Sequence, residues 1–89
     1  MKIVILDRDG VINQDSIDYI KTPAEWIPID GSIQAIADLC AAGFKVVIAT
    51  NQSGLARNLF SIDDLNCIHQ KLIEFVERAN GKIHGIFYC

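Results

Sequence analysis

Two unbroken apolar runs, Lys2–Leu6 (KIVIL) and Lys45–Ala49 (KVVIA), give way at their C-terminal ends to polar residues, and this pattern limits the fold more than any other feature of the chain. A strand with one wet face alternates polar and apolar positions. A continuous β-branched run instead fits a strand covered on both faces, as in a parallel sheet. Between the two runs, Ile33, Ile36, Ala37 and Cys40 recur at helical spacing, with Asp30-Gly31-Ser32 as start signals and Gly43 as the stop. Beyond the second run, Ser61 followed by Asp64 resembles a capping box. It opens a helix whose apolar stripe is Leu65, Ile68, Leu72 and Val76 and which ends near Asn80-Gly81. A third short run, Gly85–Cys89 (GIFYC), reads as a third strand. Strands alternating with helices predict an α/β fold: a parallel sheet wound by right-handed crossovers.

At 89 residues the chain makes one small domain, of a size that buries roughly 60–65% of its unfolded surface. A doubly wound sheet carries helices on both faces, yet no helix follows the third strand. Residues 1–89 are therefore expected to be the N-terminal part of a larger domain. The segment from about 13 to 30, with Tyr19, Pro23, Trp26 and Pro28, follows neither period and is expected to form an ordered flap above the sheet.

A net charge of −3 gives no electrostatic basis for nucleic-acid or anionic-membrane partners. The apolar runs fall far short of the roughly 20 residues that span a bilayer, and the N-terminal run meets a charge too soon for a signal peptide. A cytoplasmic location with free thiols is the expectation for the three cysteines, and the Asn51-Gln52-Ser53 sequon is then chance.

Ligands of open parallel sheets bind at the carboxyl ends of the strands, often beside a central first strand. Asp7 and Asp9 fall at such an end, and their i, i+2 spacing in extended backbone places both side chains on one side. Paired carboxylates can hold a hard cation such as Mg²⁺, or one can attack as a nucleophile while the other handles protons. Asp-Arg-Asp-Gly could equally be a plain polar turn. The second strand tips the balance, because it too ends on polar residues: Thr50, Asn51 and Ser53 supply a hydroxyl and amides suited to phosphate oxygens.

The stretches DRDGVIN and VVIATNQSG, with DYIKTPAEWIPIDG between them and a terminal YC, resemble the haloacid dehalogenase (HAD) superfamily. The likeness is to its phosphatases acting on a heptose bisphosphate, with histidinol-phosphate phosphatases as close siblings. It implies a Rossmann-like, three-layer fold without a large cap, of which only the first three strands and two helices are present. It also implies an Mg²⁺-dependent phosphatase of a phosphorylated sugar, working through an aspartyl-phosphate. By the same resemblance Asp7 is the nucleophile and a metal ligand. Asp9 protonates the leaving oxygen, activates water and touches the metal through its backbone carbonyl. Thr50 binds the transferring phosphoryl group, Asn51, Gln52 and Ser53 line the substrate site, Arg57 attracts a second phosphate, and Asp15 to Tyr19 cover the sugar. Val11 stands where the motif often has Thr. The superfamily's later Lys or Arg and its further acidic ligands are expected beyond Cys89, without which the chain alone is expected to be inactive.

Cys89 sits where members of this group place the first ligand of a structural Zn²⁺ loop, but one thiolate makes no four-coordinate site. His84 and His69 read as ordinary loop and helix histidines, and Cys40 and Cys67 as small core residues. Trp26 is expected to anchor the flap, Lys45 opens a strand at the wrong end, and Lys71 and Lys82 belong to a solvated helix face and a loop. The competing readings are a receiver-like phospho-accepting module, which would place its acceptor on the third strand where Phe87-Tyr88-Cys89 stand, and a non-catalytic fragment.

Overall fold

The structure is a computed structural model that describes residues 2–15, 20–51 and 60–88. Three strands, β1 (Lys2–Leu6), β2 (Phe44–Thr50) and β3 (Ile83–Tyr88), alternate with two helices, α1 (Ser32–Ala41) and α2 (Ile62–Arg78). All pairings are parallel and the order is β1-β2-β3, with Leu6 beside Ile48 and Thr50 beside Tyr88. The tips of β1 and β2 are thus neighbours at the same edge. Among the described residues β2, not β1, is the central strand.

Alternation in β2 sends Val46, Ile48 and Thr50 inward, where each is buried. Val46 and Ile48 meet Ile36 of α1 and Ile68, Leu72 and Val76 of α2, with Ile12, Ile20 and Trp26 completing the cluster. Each such side chain contributes about 1.5–3 kcal/mol by leaving water. The capping box is present: Ser61 Oγ accepts from the Asp64 amide and the Asp64 carboxylate accepts from the Ser61 amide, both at 3.0 Å. Helix α2 ends with Asn80 at φ 67° and the Gly81 amide donating to the Val76 carbonyl at 2.9 Å. Helix α1 begins at Gly31, which has φ 84° and provides no side-chain cap. The Ser32 hydroxyl instead donates to the Ile12 carbonyl at 2.7 Å, tying the helix to the first turn.

Within residues 1–89 only one face of β1 is covered. Ile3 and Ile5 are 57% and 69% exposed, as is Phe87 at 66% on β3. Chain direction is the reason. Both right-handed crossovers step the same way across the sheet, from β1 to β2 to β3, so both helices fall on one face. A helix reaches the other face only when the winding reverses.

The flap is anchored as expected. At its base the Gln14 amide donates to the Ile27 carbonyl at 2.8 Å and the Ile29 amide to the Ile12 carbonyl at 2.9 Å, closing the loop like a short antiparallel pair. Trp26 is fully buried, packs against Phe75 and leaves no face for a sugar. Two other expectations fail. Cys67 is exposed, not a core residue, and Lys71 is half-buried, its ammonium donating to the carbonyls of Pro23 and Trp26. No helix among the described residues is long and apolar enough to cross a membrane.

Candidate active site

β1 ends at Leu6, and the backbone then turns tightly. The amides of Ile12 and Asn13 both donate to the Arg8 carbonyl, and Gly10, at φ 81°, takes the left-handed conformation the turn requires. This geometry leaves Asp7 at the strand tip, exposed, with Oδ1 accepting the Arg8 amide at 2.8 Å. Asp7 lines an open cavity of about 460 Å³ together with Ala49, Thr50 and Asn51 of the β2 tip and Phe87 and Tyr88 of the β3 tip. The first acidic residue and the hydroxyl and amide of the second motif therefore share one crevice. Thr50 is buried and Asn51 exposed.

Asp9 follows in the turn, half-buried, and its carboxylate is held by partners of its own. Its Oδ1 accepts from Arg8 Nε at 2.8 Å and from Asn13 Nδ2 at 2.9 Å, and Arg8 Nη2 lies 2.7 Å from the same oxygen without the alignment of a hydrogen bond. Arg8 is completely buried. On its far side Nη1 lies 3.1 Å from His69 Nε2, contributed by α2. Burial foremost, and then the Arg8 charge, holds the His69 pKa down to about 4 against a smaller upward pull from Asp9. His69 is thus a buried partner of the first motif, not an ordinary helix position.

Sequence reasoning singled out Asp7, Asp9, Thr50 and Asn51, and missed Arg8, Asn13, His69, Phe87 and Tyr88. Arg8 sits inside the motif, so its place between two aspartates was the available signal. Tyr88 is the register partner of Thr50, a relation that follows once β3 is known to pair with β2. Asp15 lies on the flap and is exposed. Tyr19, Gln52, Ser53, Arg57 and Cys89 lie outside the described residues.

The donors available for a cation at the cavity are hard oxygens, those of the Asp7 carboxylate. That set suits Mg²⁺, which takes few protein ligands and keeps waters. Among the described residues no three His, Cys, Asp or Glu side chains cluster to hold a metal, so these oxygens are a partial site. The described cysteines, Cys40 and Cys67, are free.

No family model matches the chain. A heptose-bisphosphate phosphatase, D-glycero-beta-D-manno-heptose-1,7-bisphosphate 7-phosphatase of Neisseria meningitidis, is 51% identical over 89 residues, which are 100% of this chain and 48% of that protein. The crystal structure of D,D-heptose 1,7-bisphosphate phosphatase from B. bronchiseptica, complexed with magnesium and phosphate, superposes with a TM-score of 0.98 at 54% identity. It covers 100% of this chain, which matches 50% of that one. The chain has a HAD-like fold and is homologous to these phosphatases. A HAD-like phosphatase from Mesorhizobium loti, described as putative, agrees at a TM-score of 0.87 and 34% identity, covering 99% of this chain and 41% of its own. The HAD-like chain spans about half the length of the curated relatives it matches.

Proposed function

We propose that residues 1–89 form the nucleophile-bearing N-terminal part of an Mg²⁺-dependent phosphatase. Its substrate on this reading is D-glycero-D-manno-heptose 1,7-bisphosphate, from which it removes the 7-phosphate, as its relatives are named for doing. The observation that carries the proposal is the single cavity lined by Asp7, Thr50 and Asn51.

The residues fit the chemistry. Asp7 Oδ1 is occupied by the Arg8 amide, and the other oxygen has no protein donor among the described residues. That carboxylate attacks phosphorus in line, forming an aspartyl-phosphate as the bond from phosphorus to the sugar oxygen breaks. Asp9 delivers its proton to that oxygen. Water then attacks the aspartyl-phosphate, Asp9 accepts the proton, and inorganic phosphate leaves with the Asp7 carboxylate restored. Thr50 and Asn51 hold phosphoryl oxygens, so that positioning supplies much of the rate. Bound Mg²⁺, held by Asp7 and the Asp9 carbonyl, supplies the positive charge that lets an anion approach a phosphate.

The test is phosphate release with Mg²⁺ from the heptose bisphosphate and from histidinol phosphate, by the 89 residues alone and by a protein extended past Cys89. Release by the extended form alone, preferring the heptose ester, is expected. Equal or better turnover of histidinol phosphate would move the substrate, and stable labelling by acetyl phosphate without turnover would replace the phosphatase with a phospho-accepting module.

A further inference from the structure

The cluster of Asp9, Arg8, Asn13 and His69 holds more order than a carboxylate at a strand end requires. Ion pairs between arginine and carboxylate commonly use both oxygens, one per guanidinium nitrogen. Here, among the described residues, every contact falls on Oδ1: Arg8 Nε at 2.8 Å, Arg8 Nη2 at 2.7 Å and Asn13 Nδ2 at 2.9 Å. Oδ1 has two lone pairs; the hydrogen bonds from Arg8 Nε and Asn13 Nδ2 take both, with the Nη2 charge close by, and leave none for a proton. The proton of the neutral acid therefore belongs on Oδ2.

Arg8 is itself fixed. It is fully buried and cannot lose its charge, so its pairing cannot be loosened cheaply. Its Nη1 has only hydrogens to offer, so the contact at 3.1 Å requires His69 Nε2 to accept, with the ring proton on Nδ1. His69 is 61 residues away on α2, whose buried stripe locks it to the core. Rigidity passes from the helix through the imidazole and the guanidinium to one oxygen of Asp9.

We propose that Arg8, backed by His69, is a positioning residue that pins Asp9 Oδ1 so that Oδ2 carries the proton to the departing sugar oxygen. The role rests on the phosphatase reading above. It makes a demand that mere stabilisation does not: loss of Arg8 should hurt only those esters whose leaving group needs a proton.

The experiment compares an alkyl phosphate, the sugar bisphosphate, with an activated aryl phosphate, p-nitrophenyl phosphate, in the full-length enzyme. The readout is kcat/KM, which reports the steps up to formation of the aspartyl-phosphate. Arg8→Lys offers one compact cation in place of the planar donor set. It is expected to lose about tenfold to a hundredfold on the alkyl ester, the scale of general-acid catalysis, and less than about threefold on the aryl ester. His69→Gln keeps an acceptor for Nη1 and is expected to stay near wild type, whereas His69→Leu removes the acceptor and is expected to share the Arg8→Lys pattern at smaller size. The His69 pair keeps the test decisive should Arg8→Lys fold poorly. Equal losses on both esters, or none on either, would overturn the positioning role while leaving the phosphatase reading intact. A wild-type enzyme releasing phosphate from neither ester would overturn both.

Discussion

Lys71 Nζ donates to the backbone carbonyl of Trp26 at 2.8 Å while lying 5.7 Å from the centre of that residue's indole ring. A second bond, to the Pro23 carbonyl at 2.7 Å, spans the short 3-10 turn Pro23–Glu25, so one ammonium from α2 fastens the inner end of the flap. Charge-assisted bonds of this kind contribute about 1.5–3 kcal/mol, and removing the donor leaves two carbonyls to find water. Lys71→Met, which keeps the stem but not the charge, is expected to lower unfolding free energy by about 2 kcal/mol. Urea melts monitored by the fluorescence of Trp26, the sole tryptophan, measure this directly.

The stripe Leu65, Ile68, Leu72 and Val76 was legible because apolar spacing records which side of a helix faces the core. Lys71 was not, because its partners are backbone carbonyls, which any sequence supplies. The same limit hid the link from Arg8 to His69: each residue is ordinary in its own segment, and only the packing of α2 beside the first turn joins them. Strand positions and the Ser61 cap are local properties, and they appear within a residue or two of where the pattern puts them. Which face of β1 is covered within residues 1–89 is not local. Ile3 and Ile5 look like any buried pair until the crossover direction decides which face the helices cover.

Asp9→Asn isolates proton transfer from geometry. The amide oxygen can still accept from Arg8 and Asn13, so the local structure is expected to persist while the acid is lost. Phosphate release from the sugar ester should fall by about a hundredfold or more. Asp7→Asn, which removes the attacking carboxylate, should leave no measurable turnover with the fold unchanged by circular dichroism. Near-normal activity in Asp7→Asn would show that the nucleophile is another group.

His69 predicts how stability varies with acid. Its pKa is about 4 in the folded chain, against 6.5 when unfolded, because burial and the Arg8 charge oppose a second positive charge. Above pH 6.5 the ring is neutral in both states and the contribution is fully present. As pH falls from 6.5 towards 4 the unfolded chain takes up a proton that the folded chain refuses, so stability declines with acid across that window and levels off below it. The shift sets a ceiling of about 3 kcal/mol, reduced by whatever solvent screening the ring retains. Denaturation midpoints measured from pH 7 to 4 should show this slope in wild type, and His69→Gln should flatten the part that His69 causes.

Gly81 and Gly31 are both glycines beside helix ends, and the structure separates why each is there. A Cβ on Gly81 would come within 2.9 Å of Val76 Cγ1 and 3.2 Å of the Ala37 Cα, where the end of α2 closes against α1. Val76 is β-branched and buried in the helix, and the Ala37 contact is backbone, so neither neighbour moves easily. Gly31→Ala meets nothing within 4 Å, and its cost is the left-handed backbone at φ 84°, about 1–2 kcal/mol. Gly81→Ala is expected to cost about 1–3 kcal/mol through overpacking of the helix pair. The two are told apart by a second substitution. Trimming Val76 to Ala costs stability by itself but should recover much of the Gly81→Ala loss, giving a negative coupling in the double-mutant cycle, and should leave the Gly31→Ala loss untouched. Additive behaviour of Gly81→Ala with Val76→Ala would mean that the contact between them does not set the cost.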